Sequence, residues 1–178
     1  MSSDVLYTTR WNDWTRRPIG GHRYLTEPEA RQLYNGDSEG LEFVDAAVRD
    51  DEGLPHARWL LGISDAGVRA QFFTPAGSIW RSTDYDLIEG RLWRWITRDY
   101  TYPDDTRRYD QDESTMMIES AFRPDGTGTV DLDDPAKPDV DRAHLEDAPV
   151  SGFWMDRPAF GHWDQLADPE YGIPPDAS

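Results

Sequence analysis

The sequence predicts a mainly β protein, of the α+β kind, built on an antiparallel meander. Four apolar runs follow one another between residues 57 and 102, and short turn signals separate them. The three connections contain Gly67, Gly77 and Gly90, and glycine allows a tight turn to adopt positive φ. In the run 68–74, apolar and polar side chains alternate, which directs one face of the strand toward a core. We therefore expect an antiparallel β-meander sheet, either open or partly closed into a barrel.

The N-terminal third predicts two strands and one short helix. Residues 6–11 are rich in Tyr, Thr and Trp and favour an initial strand, which a loop follows. Thr26 and Glu29 have the spacing of a capping box, and Pro28 is tolerated in a first helical turn. Asn35-Gly36 is a stop signal. The second strand is predicted at 41–48. The four meander strands are predicted at 57–63, 68–74, 79–85 and 91–100.

The C-terminal half predicts one more hairpin and then less regular chain. The strands at 115–122 and 127–132 flank Pro124-Asp125-Gly126, a strong hairpin signal. Residues 133–149 contain many Asp and Pro residues and predict an acidic, exposed connector. The aromatic stretch at 152–163 predicts a C-terminal latch on the sheet. Residues 168–178 predict a frayed tail, and we expect the whole chain, 1–178, to form one domain.

Composition limits the classes of partner. Thirty-five acidic residues against eighteen basic ones give a formal net charge of -17, which argues against nucleic acid and against an anionic membrane. A basic partner fits this charge. The chain contains no cysteine, which excludes disulfides, thiolate metal sites and cysteine nucleophiles. Its first residues lack the pattern of a secretory signal, and no apolar run is long enough for a bilayer span, so we expect a cytoplasmic protein.

No motif in the sequence predicts a catalytic or metal site. The four histidines, at positions 22, 56, 144 and 162, lack the helical spacing of a zinc pair. A nucleophile elbow and phosphate-binding glycine loops are absent, and the acidic loops do not keep the register of an EF-hand. The sequence therefore predicts no catalytic residue, no metal and no cofactor. If the protein were an enzyme, His162 with a neighbouring carboxylate is the first combination to inspect.

The fourth meander strand and the loop after it are the predicted partner-binding site. Trp93 and Trp95 share one face of that strand with Asp99, so the indoles are either an exposed patch or covered by the latch. The loop that follows is strongly acidic and favours a solvated rim that steers a basic partner. Its acids are Asp104, Asp105, Asp110, Asp112 and Glu113.

Three segments carry a resemblance to a known class of proteins. They are residues 91–104, the run Phe122-Arg123-Pro124-Asp125-Gly126, and the closing aromatic stretch 154–163. Together they resemble small acidic actinobacterial proteins of the toxin-immunity type, over the C-terminal two-thirds of the chain but not in 133–149. The resemblance implies a stoichiometric inhibitor without catalysis, which binds a cognate toxin at its basic active-site cleft. Two alternatives stay open: a lipocalin-like barrel that binds a small apolar ligand, and a small enzyme with a site near His162.

Overall fold

One long antiparallel sheet organises the chain. The computed structural model describes residues 4–36 and 40–173. The strands are β1 (Val5–Thr8), β2 (Trp11–Asn12), β3 (Arg17–Pro18), β4 (Tyr24–Leu25), β5 (Leu41–Asp45), β6 (Trp59–Ser64), β7 (Gly67–Phe73), β8 (Ile79–Ile88), β9 (Arg91–Thr101), β10 (Met116–Phe122), β11 (Gly128–Asp133), β12 (Asp141–Leu145) and β13 (Trp154–Asp156). The helix α1 spans Glu27–Asn35, and two 3₁₀ turns span Gln111–Glu113 and Val150–Phe153.

The main sheet is an open meander. Its strands follow the order β12-β11-β10-β9-β8-β7-β6-β5-β1-β4, and all pairs are antiparallel. Strands β2 and β3 form a separate small hairpin. The predicted mainly β meander with one helix is confirmed, whereas closure into a barrel is wrong, because β12 and β4 are free edges of the described sheet. The barrel interior that a lipocalin-like ligand would need is therefore missing from the described fold.

Two strands share one side of β9. Strand β10 pairs with it from Ile96 to Thr101, and β13 pairs with it from Arg91 to Trp93. Between these two regions the pairing of β8 with β9 shifts by one residue, which leaves Trp95 as the extra residue of a β-bulge. Side-chain packing explains why β9 has apolar residues in alternate and adjacent positions: Leu92 is buried among the apolar residues of the sheet and of residues 154–173, and Trp93 packs against Phe153 and Trp154.

The principal core lies between the sheet and residues 154–173, which we call the C-terminal segment. Phe43, Leu61 and Leu92 of the sheet are buried together with Phe160 and Trp163. The Phe43 and Trp163 rings are in close contact, with 4.4 Å between centroids, at the short end of the distances seen for aromatic pairs. The aromatic spacing of the C-terminal segment is therefore accounted for by its packing onto the sheet.

Helix α1 packs on the same face and is fastened to the C-terminal segment. The N–H of Thr26 donates to the Glu29 carboxylate at 2.8 Å, as the capping box predicts. Ala30 and Tyr34 are buried, and the Tyr34 hydroxyl donates to the carbonyl of Pro158 at 2.6 Å. A helix of nine residues gains its stability mainly from such packing.

The end of the described chain is tied to the sheet. Arg81 of β8 donates to the carbonyl of Pro169 at 2.8 Å and pairs with Glu170. Arg94 of β9 donates to the carbonyl of Tyr171 at 3.2 Å. The prediction of a frayed tail from residue 168 therefore fails up to residue 173, because two largely buried guanidinium groups need these acceptors. Residues 174–178 of the predicted tail lie outside the described residues.

The predicted connector 133–149 contains a strand. Strand β12 lies inside it and pairs with β11 at the edge of the sheet. All five of its residues are exposed, and Ala143 and Leu145 are its only apolar side chains, so its sequence carries only a weak strand signal. The strand is held by its ladder to β11 and by Arg142, which pairs with Asp131. This strand is recognised from its pairing with β11, because its sequence has no pattern that faces a core.

Candidate partner-binding site

Four strand ends meet at one end of the sheet. The register places Thr101 of β9 beside Met116 of β10, Met117 beside Asp133 of β11, and Leu132 beside Asp141 of β12. The loop 102–115 and the link 134–140 therefore lie next to each other, across a width of about 14 Å for four strands. We call their carboxylates the acidic end; they are Asp104, Asp105, Asp110, Asp112, Glu113, Asp133, Asp134, Asp139 and Asp141. Arg107, Arg108 and Lys137 are the cations of the same segments.

Tyr109 anchors the acidic loop to the sheet. Its ring is buried and stacks on Tyr102 with 5.6 Å between centroids and 13° between planes. Its backbone N–H donates to the hydroxyl of Ser78 at 2.9 Å, and the Tyr102 hydroxyl donates to the carbonyl of Ile79 at 2.7 Å. These bonds attach the loop to the start of β8, so its carboxylates are displayed from a defined backbone.

Two of the predicted loop acids shape the loop itself. Asp104 accepts hydrogen bonds from the hydroxyl and N–H of Thr106 and from the Tyr109 hydroxyl, which lower the pKa of its carboxyl. Glu113 accepts from Arg107 at 2.7 Å and from the N–H of Asp110 at 2.9 Å, which lower its pKa as well. Both carboxylates are ionised at neutral pH, but much of their hydrogen-bonding capacity is used internally.

The remaining carboxylates of the acidic end differ in their pairing: Asp141 pairs with Lys137, and Asp134 and Asp110 accept backbone N–H groups, whereas three exposed ones stay unpaired. Asp105, Asp112 and Asp139 are exposed and form no hydrogen bond or ion pair within residues 4–36 and 40–173. Asp110 lies 3.9 Å from Arg108, at the limit of an ion pair, and its side chain is half exposed. These are the charges of the loop and link that an approaching partner meets first.

The structure separates the predicted tryptophan pair. Trp93 is 1% exposed, lies against Phe153 and Trp154, and donates from its indole N–H to the carbonyl of Phe122 at 3.0 Å. The predicted C-terminal latch therefore covers Trp93, and a partner cannot reach its indole in this structure. Trp95, at the bulge, is 38% exposed. It lies about 20 Å along the strand from the acidic loop, because Thr101, where the loop begins, is six positions further along β9.

Asp99 is also engaged internally. Its carboxylate pairs with Arg81, the same side chain that holds residues 169 and 170. Its role in the structure is to position that arginine, although its side chain is 34% exposed. Of the predicted site residues, the structure therefore brings together only the five loop acids.

An apolar sheet face adjoins the acidic end. We call strands β10, β11 and β12 the wing. Helix α1 and the C-terminal segment pack over β1 and β5 to β9, whereas the apolar side chains of the wing on that face remain half-buried or exposed. Register and strand alternation assign these to Met116, Ile118, Val130, Leu132, Ala143 and Leu145.

The opposite face of the wing is charged and self-paired. Arg98 bonds Glu119 at 2.7 Å and Asp84 at 3.0 Å, and Arg142 covers the buried carboxylate of Asp131. Arg69 continues this ladder of cross-strand pairs onto β7 through Asp84. Because these charges satisfy one another, the apolar face of the wing is the candidate contact surface; at its far end, Phe122 packs against Phe153.

The structure gives no support to a site at His162. Its side chain is exposed and makes no hydrogen bond within the described chain. Within residues 4–36 and 40–173, no group of three or more His, Asp and Glu residues is arranged to hold a metal ion. No helix of the described segments is long and apolar enough to cross a membrane.

The fold and the site define an antiparallel, open-sheet β protein with one helix and a strongly acidic strand end. Comparisons with known protein families, curated proteins and solved structures found no match for the chain.

Proposed function

We propose that this chain is a non-enzymatic, acidic binding protein of the toxin-immunity type, which binds a basic toxin domain and blocks its active site. One observation carries the proposal: the acidic end lies directly beside the uncovered apolar face of the wing. Apolar contact surface with a charged rim is the usual composition of a protein-binding surface.

The two parts of the surface have different roles in binding. The exposed carboxylates attract a basic partner over a distance of about one Debye length, which is roughly 10 Å at moderate salt. The apolar face, with Ile118, Leu132 and Met116, supplies contact area that is desolvated in the complex. Charge therefore governs the rate of association, and apolar burial governs the lifetime of the complex.

A second copy of the chain is disfavoured as the occupant of this face. Two molecules of net charge -17 repel each other. The link 134–140 and the acidic loop border the wing, so a dimer formed through this face would also bring their like charges together. A partner with basic residues around an apolar centre has the matching chemistry.

A growth experiment tests the proposed function. A toxin gene directly beside the gene for this chain is the arrangement expected of an immunity protein. Expression of that neighbouring product alone in a bacterial host should arrest growth, and co-expression of this chain should restore it. The variant Ile118→Asp with Leu132→Asp places charge on the apolar face and should abolish the rescue.

The control variant is Thr129→Asp with Thr127→Asp, which adds the same charge on β11 and the turn before it without altering the apolar face. It should rescue growth as the parent chain does. A neighbouring product that does not affect growth, or rescue that both variants retain, would contradict the proposal.

A further inference from the structure

A sizeable cavity of the described chain lies outside the carboxylates of the acidic end and outside the wing. It is a cleft of about 660 Å³ between the loop of the β2–β3 hairpin, the segment 55–58 before β6, the turn 74–77 between β7 and β8, and Arg108 of the acidic loop. We call it the arginine cleft. Its size is that of a small-molecule site, for which 300–1,000 Å³ is the usual range.

The lining of the cleft has the opposite charge to the molecule. Arg16, Arg58, Arg108 and His56 line it, against a single lining acid, Asp13. The chain as a whole carries -17. Three of its eighteen cationic side chains therefore converge on one concave surface, although acidic residues outnumber basic ones in the chain as a whole.

Arg108 has donors without acceptors. Its Nη2 donates to Asp13 at 2.7 Å, but its Nε and Nη1 are buried and have no hydrogen-bond partner in the described chain. Buried donors left unpaired cost free energy, which an incoming acceptor would recover. The indole of Trp14, which also lines the cleft, lies over this guanidinium at 4.0 Å and is 58% exposed. A ligand that contacts Arg108 in the cleft therefore also meets this ring.

The other two arginines are positioned by acids outside the lining. Arg16 bonds Asp50 at 2.7 Å and donates to the Nε2 of His56 at 3.2 Å. Arg58 bonds the buried carboxylate of Asp45 at 2.6 Å. Since a guanidinium has five N–H donors, each arginine keeps donors free after these bonds. The cleft is therefore rich in donors and poor in acceptors.

The walls of the cleft are apolar and partly flat. Trp14, Val48, Pro55, Phe73 and Pro75 contribute to them. Val48 is 52% exposed, which is unusual for valine, and it lies at the cleft with the exposed Trp14. A bare inorganic anion would leave these surfaces unused, whereas a planar apolar ring would cover them.

We propose that the arginine cleft binds a small aromatic monocarboxylate, with the ring against the apolar walls and the carboxylate on the arginines. Guanidinium and carboxylate match in planar, bidentate geometry. A single negative charge is favoured, because each arginine already has one acidic partner and the net charge of the molecule repels multivalent anions. This site is independent of the partner-binding proposal.

Isothermal titration calorimetry with three probes tests the ligand class. The acid 2-naphthoate should bind the full chain with a stoichiometry of one. Its neutral isostere 2-naphthamide should bind at least about tenfold more weakly, because it lacks the charge that strengthens a guanidinium hydrogen bond. Inorganic phosphate should not compete with 2-naphthoate. Absence of naphthoate binding up to about 5 mM, or equal affinity for acid and amide, would overturn the proposal.

Matched variants test the location. Arg108→Gln should weaken 2-naphthoate at least about tenfold. Arg91→Gln is the control, since Arg91 also pairs with an aspartate and also lies over a tryptophan ring, but at β9 and β13. It should bind as the parent does. Equal losses in the two variants would refute the assignment of the site to the cleft.

A further variant protects the test against misfolding of Arg108→Gln. Ala76→Phe adds bulk to the cleft wall without changing any charge. It should abolish naphthoate binding and leave the urea midpoint of unfolding unchanged. Undiminished binding by this variant would place the ligand elsewhere and contradict the proposal.

Discussion

Single arginines connect distant parts of this acidic chain. Seventeen of its eighteen cationic residues are arginine. Arg81 alone bonds Asp99 of β9, the carbonyl of Pro169 and the carboxylate of Glu170. Lysine offers three donors from one point, whereas the planar guanidinium reaches acceptors in several directions. The physical consequence is that residues far apart in sequence are fixed by one side chain.

Tyr85 makes the stability of the protein sensitive to alkaline pH. Burial raises the pKa of its hydroxyl to about 12. In the unfolded chain this group ionises near pH 10, so between pH 10 and 12 the unfolded state holds fewer protons than the folded state. The stability conferred by the neutral hydroxyl is complete below pH 10 and is lost as the pH rises toward 12.

We expect Tyr85→Phe to reduce the fall of the unfolding free energy between pH 10 and 12 by up to about 1.4 kcal/mol per pH unit. Urea denaturation of the parent and the variant at pH 8, 9.5, 10.5 and 11.5 measures the unfolding free energy. The values at pH 8, where the phenol is protonated in both states, isolate the packing effect of the substitution. Parallel pH dependence in parent and variant would show that Tyr85 does not titrate in this way.

At the scale of single residues, local interactions can be predicted from the sequence. Thr26 and Glu29 are three residues apart, and the capping box formed as predicted. Arg108 and Asp13 are ninety-five residues apart, and nothing in either segment indicates their pairing or the cleft beside it. The exposure of Trp14 was likewise not predictable, because it depends on the loop that carries Arg108.

The C-terminal segment is a structural element in its own right. Phe160, Trp163 and Leu166 are buried in the principal core, and Tyr171 packs against it. The carbonyls of Pro169 and Tyr171 satisfy the guanidinium groups of β8 and β9. Burial also lowers the pKa of Arg94, which shows how unfavourable its environment is for an unpartnered charge.

Truncation tests this account of the C-terminal segment. A chain that ends at Asp168 should lose about 2–4 kcal/mol of unfolding free energy, because it leaves donors of Arg81 and Arg94 buried without acceptors. A chain that ends at Ile173 retains these contacts and serves as the control. The two chains are compared by urea denaturation at neutral pH, and equal stability would contradict the proposed fastening.

Elements with a core-facing pattern were predictable, and those without one were not. The four meander strands were predicted within a few residues, because glycine turns and alternation mark them. Strand β12 was missed because all of its side chains face solvent. Strand β9 was predicted. The burial of Trp93 and the exposure of Trp95 were not, because they depend on the bulge at Trp95 and on β13, a strand from the C-terminal part of the chain.

The whole molecule is divided into regions of opposite charge. The acidic end and the arginine cleft meet at the loop 102–115, which contributes carboxylates to one and Arg108 to the other. The acidity of this loop was predictable from composition. Its position beside the link 134–140 was not, because it depends on the register of four strands. The apolar face of the wing depends on the same register.

The association rate of the chain with the basic toxin domain that the proposed function requires tests the central claim, that the acidic end steers the partner. The variant Asp105→Asn, Asp112→Asn, Asp139→Asn removes three exposed, unpaired charges of the acidic end. The control Asp51→Asn, Asp65→Asn, Asp164→Asn removes three exposed charges elsewhere and changes the net charge equally.

Stopped-flow mixing at about 20 mM and about 300 mM NaCl separates steering from contact, because the higher salt screens exposed charges. We predict that the acidic-end variant associates roughly tenfold more slowly than the control variant at low salt, and that the two rates converge at high salt. Equal association rates of the two variants at low salt would contradict the claim.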